Sequence, residues 1–205
     1  MDVVVLGIFG GSGSGKSTLA TAFATQLADE AVAILPFDAY YHDLGHLSPE
    51  ERRHTNFDQL DALDVELYAT HLDELCRGNT VRVPGYDFAT HTRTGESSAV
   101  DAAPLVIAEG ILLLASPVVS SRLDLTVFLD VEEDLRLERR LARDIVERGR
   151  EESDVRRHFA KSVAPSHDRL VQPLGLAADF VHRHPWDVME LAVDLVASIE
   201  SVRVG

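Results

Sequence analysis

Short apolar runs alternate along the chain with segments in which apolar residues recur every three or four positions. The runs rich in Val, Ile, Leu and Ala predict buried strands at 3–9, 31–37, 103–109, 125–130 and 177–182. The longer periodicity predicts helices at 18–27, 65–77, 132–148 and 186–202, with another beginning near Ser153. Strands that alternate with helices predict an α/β fold, with a doubly wound, mainly parallel sheet and helices on both faces.

Capping residues mark several predicted helix ends. Ser48, followed by Pro49 and Glu51, has the pattern of a capping box at a helix start. Gly78 and Gly149 each follow a predicted helix, where glycine readily takes the left-handed conformation that ends a helix. Beyond Gly78, two short extended runs at 80–86 and 91–94 predict a β-hairpin insertion over about 79–95 that projects from the main sheet.

Length and composition indicate a single domain over 1–205, because 205 residues with 45% hydrophobic content can bury a proper core. No apolar run approaches the roughly 18 residues of a membrane helix. Met1 is followed by a charged residue and a predicted strand, so no secretory signal is expected. Cys76, the only cysteine, excludes an internal disulfide and is expected to pack in the core. These features predict a cytoplasmic protein.

The net charge of the chain indicates which classes of partner are disfavoured. A formal net charge of −15 argues against nucleic acid or an anionic membrane, since both carry dense negative charge. Lys16 and Lys161 are the only lysines, so arginine supplies nearly all of the positive charge. Small molecules therefore stay as the expected substrates.

A glycine-rich segment joins the first predicted strand to the first helix with the spacing G-x-x-x-x-G-K-[ST]. Glycines let backbone N–H groups curl around phosphate oxygens, and the helix that follows points its positive end at the same place. A flexible Gly/Ser linker is the alternative, but the flanking strand and helix disfavour it. The residues expected to bind the triphosphate are Gly10, Gly11, Ser12, Gly13, Ser14, Gly15, Lys16, Ser17 and Thr18.

Three oxygen-bearing side chains are candidates for a Mg²⁺ site. The Ser17 hydroxyl follows the loop lysine, and Glu109 ends the third apolar strand immediately before Gly110, which suggests a crowded backbone there. Asp38 closes the second strand, where ligands gather in open α/β sheets. Asp38 is either an ordinary turn residue or the group that takes a proton from an acceptor hydroxyl beside Mg²⁺, and the Tyr-Tyr-His-Asp run behind it favours the second.

An arginine-rich segment over about 132–160 predicts a helical lid. Acidic residues, among them Asp144, accompany these arginines, and a salt-bridged surface helix explains most of them. Arg148-Gly149-Arg150 at a helix end instead resembles a mobile clamp, because guanidinium groups bind phosphate oxygens bidentately. Aromatic and polar residues also mix at 56–58 and 86–93, either as satellite core or as a pocket for a flat base and a sugar.

Taken in order, these blocks resemble the uridine kinase (uridine–cytidine kinase) family of P-loop kinases over about 4–180. They are the glycine loop, Asp38-Ala39-Tyr40-Tyr41, Asn56-Phe57-Asp58, 84–93, Glu109-Gly110-Ile111-Leu112 and 143–150. The glycine loop alone is generic, whereas Tyr-Asp-Phe followed by His and Arg, combined with Glu-Arg-Gly-Arg, is far more discriminating.

The resemblance implies a role for each matching residue. Asp38 would be the base for the nucleoside 5′-hydroxyl, and Asp58 would accept hydrogen bonds from the ribose. Tyr86 and Phe88 would wall the base. The remaining substrate-binding residues would be Tyr41, His91, which would read the base edge, Arg140 facing the sugar and phosphates, and His158, which stands where a Gln is expected. Arg143 would contact the donor phosphates, and Arg148 and Arg150 would act from the lid.

The resemblance therefore predicts transfer of the γ-phosphoryl group of ATP to the 5′-hydroxyl of uridine, with cytidine as a further substrate, in pyrimidine salvage. The stretch 182–187 departs from the family pattern near the adenine and leaves GTP open as donor. A homo-oligomer, tetramer or dimer, is also implied. The alternatives are a phosphoribulokinase-like or other small-metabolite kinase, a nucleotide-hydrolysing switch or chaperone, and an inactive relative.

Overall fold

A computed structural model describes residues 3–27 and 32–203. The first half contains β1 (Val4–Gly10), α1 (Lys16–Gln26), β2 (Val32–Pro36), α2 (Pro49–His54), α3 (Val65–Cys76), β3 (Val81–Asp87) and β4 (Thr92–Val100). The second half contains β5 (Leu105–Gly110), α4 (Pro117–Ser120), β6 (Leu125–Asp130), α5 (Glu133–Arg148), α6 (Glu152–His158), α7 (Ala164–Ser166), α8 (Gln172–Gly175), β7 (Phe180–Arg183) and α9 (Val188–Arg203). Short 3-10 helices cover Phe37–Tyr40 and Leu60–Ala62.

Within the described residues, the main sheet has five strands in the order β2-β5-β1-β6-β7, and their pairings are parallel. In the register of β1 with β5, Ile8 lies opposite Glu109, so both strands end at the same edge. In the register of β2 with β5, Pro36 lies opposite Glu109. The carboxyl ends of β1, β2 and β5 therefore meet, and the predicted α/β architecture is confirmed.

Both faces of the sheet are buried. Val5 and Phe9 of β1 belong to a cluster that includes Tyr68 and Leu72 of α3. Alternate β1 residues, Leu6 among them, belong to a second cluster packed with residues of α1 and α9. Because strand side chains alternate between faces, apolar residues at successive positions require cover on both sides.

The observed caps match those in the sequence. The Ser48 side chain accepts a hydrogen bond from the backbone of Glu51, whose carboxylate accepts one from the Ser48 backbone at 2.8 Å, completing the capping box. Gly78 and Gly149 both take positive φ values, +86° and +61°, directly after α3 and α5. Strand and helix bounds otherwise differ from the predictions by a few residues, and the predicted start of the second strand at Ala31 lies outside the described residues.

The hairpin is longer than predicted, since β4 extends to Val100. It is fixed beside the end of β2 by Arg93, whose Nε donates to the carbonyl of Tyr41 at 3.1 Å and whose Nη2 contacts Asp64 Oδ2 at 3.1 Å. On the other side, Arg52 Nη1 donates to the carbonyl of Thr90 at 2.7 Å. The hairpin is therefore held on one side by the residues that follow β2 and on the other side by α2.

Two further features differ from the sequence-based expectations. Cys76 is exposed at the end of α3, so its predicted place in the core is wrong. Beyond α6 the chain continues to Gly175 through alternating α-helical and π-helical turns, so the helical segment extends past the predicted end near 160. Within residues 3–27 and 32–203, none of the helices combines the length and the apolar character that crossing a bilayer requires.

Candidate active site

The glycine loop lies between β1 and α1, as the sequence predicts. Gly13 and Gly15 have φ values of +84° and +95°, which side chains disfavour and glycine accepts. Lys16 is 7% exposed and its Nζ donates to the carbonyl of Gly11 at 3.1 Å. Burial lowers the pKa of Lys16, while the nearby charges of Glu109 and Asp38 act in the opposite direction. The loop therefore holds a buried cation that feels the charge of two carboxylates.

The Ser17 hydroxyl donates to Glu109 Oε1 at 2.9 Å, which connects the start of α1 to the end of β5. Burial raises the pKa of the Glu109 carboxyl, and the charge of Asp38 raises it further. A hydroxyl and a carboxylate are hard oxygen donors that suit Mg²⁺. In the described part of the chain no three His, Cys, Asp or Glu side chains form a self-contained metal cluster. This donor set fits an ion that also takes phosphate and water ligands.

Asp38 is placed by close packing between the ends of β2 and β5. It lies in the 3-10 turn Phe37–Tyr40 that follows β2. A Cβ on Gly110 would come within 2.6 Å of the Cβ of Phe37, so only glycine lets the two strand ends approach this closely. The charge of Asp38 also acts on the pKa of Tyr41, which is raised chiefly by burial. The sequence-based inference of a crowded backbone at Gly110 is confirmed.

A cavity of about 800 Å³ opens beside the loop. It is large enough for a small ligand, since such sites commonly measure roughly 300–1,000 Å³. The predicted site residues that line it are Ser12, Lys16, Ser17, Asp38, Tyr41, Asp58, Tyr86, Phe88, His91, Arg140, Arg143, Arg148, Arg150 and His158. The other predicted residues, Gly10, Gly11, Gly13, Ser14, Gly15, Thr18 and Glu109, are outside this lining, and Glu109 reaches it through Ser17.

Aromatic rings form one wall of the cavity. The Tyr86 ring packs against Tyr41 at 5.4 Å and against Phe88 at 5.2 Å between centroids. The Tyr41 hydroxyl donates to the carbonyl of Phe57 at 3.1 Å. Among the described residues, the buried hydroxyl of Tyr86 has no hydrogen-bond partner. A buried polar group without a partner is costly, so this hydroxyl is suited to a ligand.

His91 is held in an unusual conformation at the turn of the hairpin, with φ at +58°. Its ring stacks on Phe57 with 4.2 Å between centroids and 13° between planes. Its Nε2 lies 3.1 Å from Arg150 Nη2. Burial and the charge of Arg150 lower the pKa of His91 to about 4. The imidazole is therefore neutral near neutral pH, and its Nε2 is an acceptor toward the guanidinium.

Asp58 is 6% exposed and lines the same cavity as the aromatic wall residues. Ser162 donates to its Oδ2 at 3.3 Å and to Asn56 Oδ1 at 2.9 Å. No role is predicted from the sequence for Ser162, which lies in the π-helical turn after α6. Nearby, His158 Nδ1 lies 3.2 Å from Arg140 Nη2, and burial together with this guanidinium lowers the pKa of His158.

The arginines of α5 and the segment after it reach both halves of the cavity. Arg140 Nη1 donates to Ser12 Oγ of the glycine loop at 2.8 Å. The Arg148 guanidinium lies 4.5 Å from the centroid of the Phe88 ring, and Arg150 Nη2 donates to the carbonyl of Phe88 at 3.2 Å. Arg156 and Arg157 form exposed pairs with Glu152 and Asp154, as expected of a surface helix. Arg136, Arg140 and Asp144 are buried, so the surface-helix interpretation does not extend to these residues.

The fold and the site together define a kinase of the P-loop class, because the glycine loop, the Ser17–Glu109 pair and the acceptor-sized cavity meet at one edge of the sheet. The chain belongs to the phosphoribulokinase/uridine kinase family, whose profile matches residues 5–187.

Individual relatives agree with this family. The uridine kinase of Chloroflexus aurantiacus is 39% identical over 199 residues, covering 95% of this chain and 93% of that protein. The uridine kinase of Clostridium novyi is 40% identical over 181 residues, covering 88% and 87%. Among solved structures, phosphoribulokinase from Rhodobacter spheroides has a TM-score of 0.63 at 14% identity, covering 91% of this chain and 72% of that one. This last similarity concerns the fold alone.

Proposed function

We propose that the protein is a uridine kinase that transfers the γ-phosphoryl group of ATP to the 5′-hydroxyl of uridine and cytidine in the cytoplasm. The observation that carries this proposal is the composition of one cavity. Its lining combines Lys16, Ser17 and Asp38 at the phosphate end with the aromatic wall of Tyr86 and Phe88. Both relatives described above are named uridine kinases.

Asp38 is the proposed base. Phosphoryl transfer through a loose transition state needs an acceptor hydroxyl that is held in line and a group that accepts its proton. Asp38 lines the cavity, and its charge acts on Lys16, which faces the phosphate position. Positioning and charge neutralisation then supply most of the rate.

Ser17 and Glu109 would hold Mg²⁺, with Asp38 close to the hydrated ion. When bound, the ion would neutralise charge on the donor phosphates. Lys16, Arg143 and the backbone of residues 10–18 would bind those phosphates, and Arg148 and Arg150 would add positive charge from the lid. Residues about 132–160 form this proposed lid within a single kinase domain, and the hairpin at about 79–95 forms the nucleoside-binding insertion.

On the acceptor side, Asp58 would accept hydrogen bonds from the ribose hydroxyls, with Arg140 and His158 beside the sugar. The base would lie between the rings of Tyr86, Phe88 and Tyr41. His91 and the Tyr86 hydroxyl would contact its polar edge, which supports a planar heterocycle with exocyclic oxygen or nitrogen atoms.

A phosphoribulokinase-like activity is the main alternative within the family. The aromatic wall argues against it, since a sugar phosphate has no flat apolar face to cover these rings. A guanine-specific switch would need the motif Asn-Lys-x-Asp to bind guanine. Neither lysine of this chain follows an asparagine, which disfavours such a switch. Lys16, Ser17, Asp38 and Glu109 are all present, which argues against an inactive relative.

A panel assay tests the proposal. Uridine, cytidine, adenosine, ribulose 5-phosphate and glycerate are each offered with ATP and with GTP in the presence of Mg²⁺, and the product is identified by mass. Formation of uridine 5′-monophosphate at the highest kcat/KM supports the proposal. A preference for a sugar phosphate, or hydrolysis of the nucleotide with no phosphorylated acceptor, contradicts it. The same panel decides the donor, and light scattering decides the proposed dimer or tetramer.

A further inference from the structure

Asp144 is the most enclosed charged residue of α5. Its side chain has no exposed surface, although the residue lies in the last turn and a half of a helix that is otherwise rich in solvated charges. Isolated buried carboxylates are expensive, so such a group is retained only where cations surround it.

Four guanidinium groups surround this carboxylate. Arg143 Nη2 lies 2.8 Å and Arg148 Nη1 3.4 Å from Oδ1. Arg150 Nη1 lies 3.3 Å and Arg140 Nε 3.4 Å from Oδ2, the latter without hydrogen-bond geometry. Burial alone would raise the pKa of Asp144, but the charges of Arg140, Arg143 and Arg148 hold it below its usual value.

The same four arginines divide between the two halves of the cavity. Arg140 reaches Ser12 of the glycine loop, and the charge of Arg143 acts on Lys16. On the other side, Arg148 lies over the ring of Phe88, and Arg150 contacts the Phe88 carbonyl and His91. Asp144 does not line the cavity, yet its carboxylate contacts all four of these arginines.

The backbone adds a second connection. The carbonyl of Asp144 accepts hydrogen bonds from the N–H groups of Gly149 and Arg150, the latter at 3.1 Å. Both the side chain and the backbone of one residue therefore fix the turn that carries Arg148 and Arg150. Without the carboxylate, four like charges would lie close together without the anion that contacts all of them, so they would attract anions from solvent more strongly.

We propose that Asp144 is a positioning residue for phosphoryl transfer: its carboxylate is an internal counter-anion that holds the phosphate-side and base-side arginines in one fixed arrangement. It also weakens the attraction of the empty arginine cluster for stray anions. This inference rests on the proposed kinase function for its kinetic arm, but the anion arm is independent of the acceptor.

The test compares Asp144→Asn, which keeps the shape and removes the charge, with the unmodified protein. We expect kcat for uridine to fall at least about tenfold with KM for uridine and ATP changed less than about threefold, because Arg143, Arg148 and Arg150 are proposed to act on the donor phosphates during transfer. We also expect the Kd of the protein for sulfate, measured by calorimetry without nucleotide, to fall at least about fivefold, since an uncompensated cation cluster attracts anions more strongly.

Asp73→Asn is the matched control. Asp73 pairs with Arg122 through contacts of 2.7 and 2.9 Å, away from the cavity, so its loss removes an arginine–carboxylate pair without touching the site. This variant should keep the kcat and the sulfate affinity of the unmodified protein.

Each other outcome overturns the proposal. Unchanged kcat and unchanged sulfate affinity in Asp144→Asn show that the carboxylate does not organise the arginines. A lowered Tm with uniform changes in kcat and both KM values shows a purely structural role. If Asp144→Asn does not fold, Asp144→Glu decides, because it keeps the charge but displaces it by one methylene. A tenfold loss of kcat at constant KM supports positioning, whereas normal kcat, or failure of this variant to fold as well, contradicts it.

If the unmodified protein phosphorylates no nucleoside, the proposed function fails while the sulfate comparison still decides the role of Asp144. The kinetic arm is then repeated with the acceptor that the panel identifies.

Discussion

The Arg150 guanidinium lies 3.1 Å from Nε2 of His91. This contact joins the turn after α5 to the turn of the β3–β4 hairpin, two segments that are 59 residues apart in the chain. The same guanidinium donates to the carbonyl of Phe88 and contacts Asp144. A substitution in the hairpin turn is therefore expected to change the position of Arg150, and a substitution of Arg150 is expected to change the position of His91.

His91→Ala should weaken the binding of uridine much more than the binding of ATP. The substitution removes the stack on Phe57 and the proposed contact with the base edge, while the glycine loop is untouched. We expect KM for uridine to rise at least about tenfold and KM for ATP to change less than about threefold. Steady-state kinetics in both substrates measures this, with His42→Ala, which removes an exposed histidine, as control. Equal losses for uridine and ATP would show that His91 does not contact the base.

Asp58→Asn should relax the selection of ribose over deoxyribose. A buried carboxylate that faces a missing hydroxyl is left unpaired, which costs about 1–3 kcal/mol. The unmodified protein should therefore prefer uridine over 2′-deoxyuridine by roughly five- to 150-fold in kcat/KM. In the variant this ratio should shrink several-fold, whereas Asp61→Asn, at an exposed position, should retain it. An unchanged ratio in Asp58→Asn removes Asp58 from the ribose site.

Gly110→Ala should displace the proposed base without touching it. The new methyl group would lie 2.6 Å from the Cβ of Phe37, the residue before Asp38. Overpacking of this kind costs about 1–3 kcal/mol of folding free energy, and the shift of Asp38 should lower kcat at least about tenfold. Denaturant unfolding and kinetics measure the two effects, with Gly45→Ala at an exposed turn as control. Normal kcat despite lower stability would mean that Asp38 tolerates displacement.

The lowered pKa of His91 predicts a contribution to the pH dependence of stability. The pKa of His91 in the folded protein is about 4, against the usual histidine value of 6.5. Between these values the unfolded chain binds a proton that the folded protein does not, so the free energy of unfolding should decrease as the pH falls from about 6.5 toward 4. His91→Gln should lose less stability over this window than the unmodified protein, as urea titrations at pH 7 and pH 5 would show. An identical loss in both proteins contradicts the burial of a neutral imidazole.

Local sequence patterns predicted much of the fold and of the phosphate end of the site. The glycine loop, the capping box at Ser48 and the helix stop at Gly149 each depend on a few neighbouring residues, and all three are present as predicted. Glu109 and Asp38 could be proposed from the sequence because parallel strands end at one edge, and the strands that carry them do end together.

Other features depend on packing that no local pattern reveals. Asp144 has the pattern of one acid among many on a charged helix, with Arg140 and Arg148 one helical turn away, and only the tertiary fold removes its side chain from solvent. The length of β4 was missed because its side chains are polar and mostly exposed, without the alternation that marks a half-buried strand. Cys76 follows the helical pattern of α3 but is the last residue of the helix, one position after the buried Leu75, and it is exposed.

The transfer step with Asp38→Asn tests the central claim most directly. Enzyme saturated with ATP, Mg²⁺ and uridine is quenched within a single turnover, and the Kd of each substrate is measured separately. The account predicts that the transfer rate falls at least about 100-fold, the scale of a lost general base, with both Kd values within about threefold of the unmodified protein. A transfer rate that stays within about threefold would contradict Asp38 as the group that accepts the 5′-hydroxyl proton.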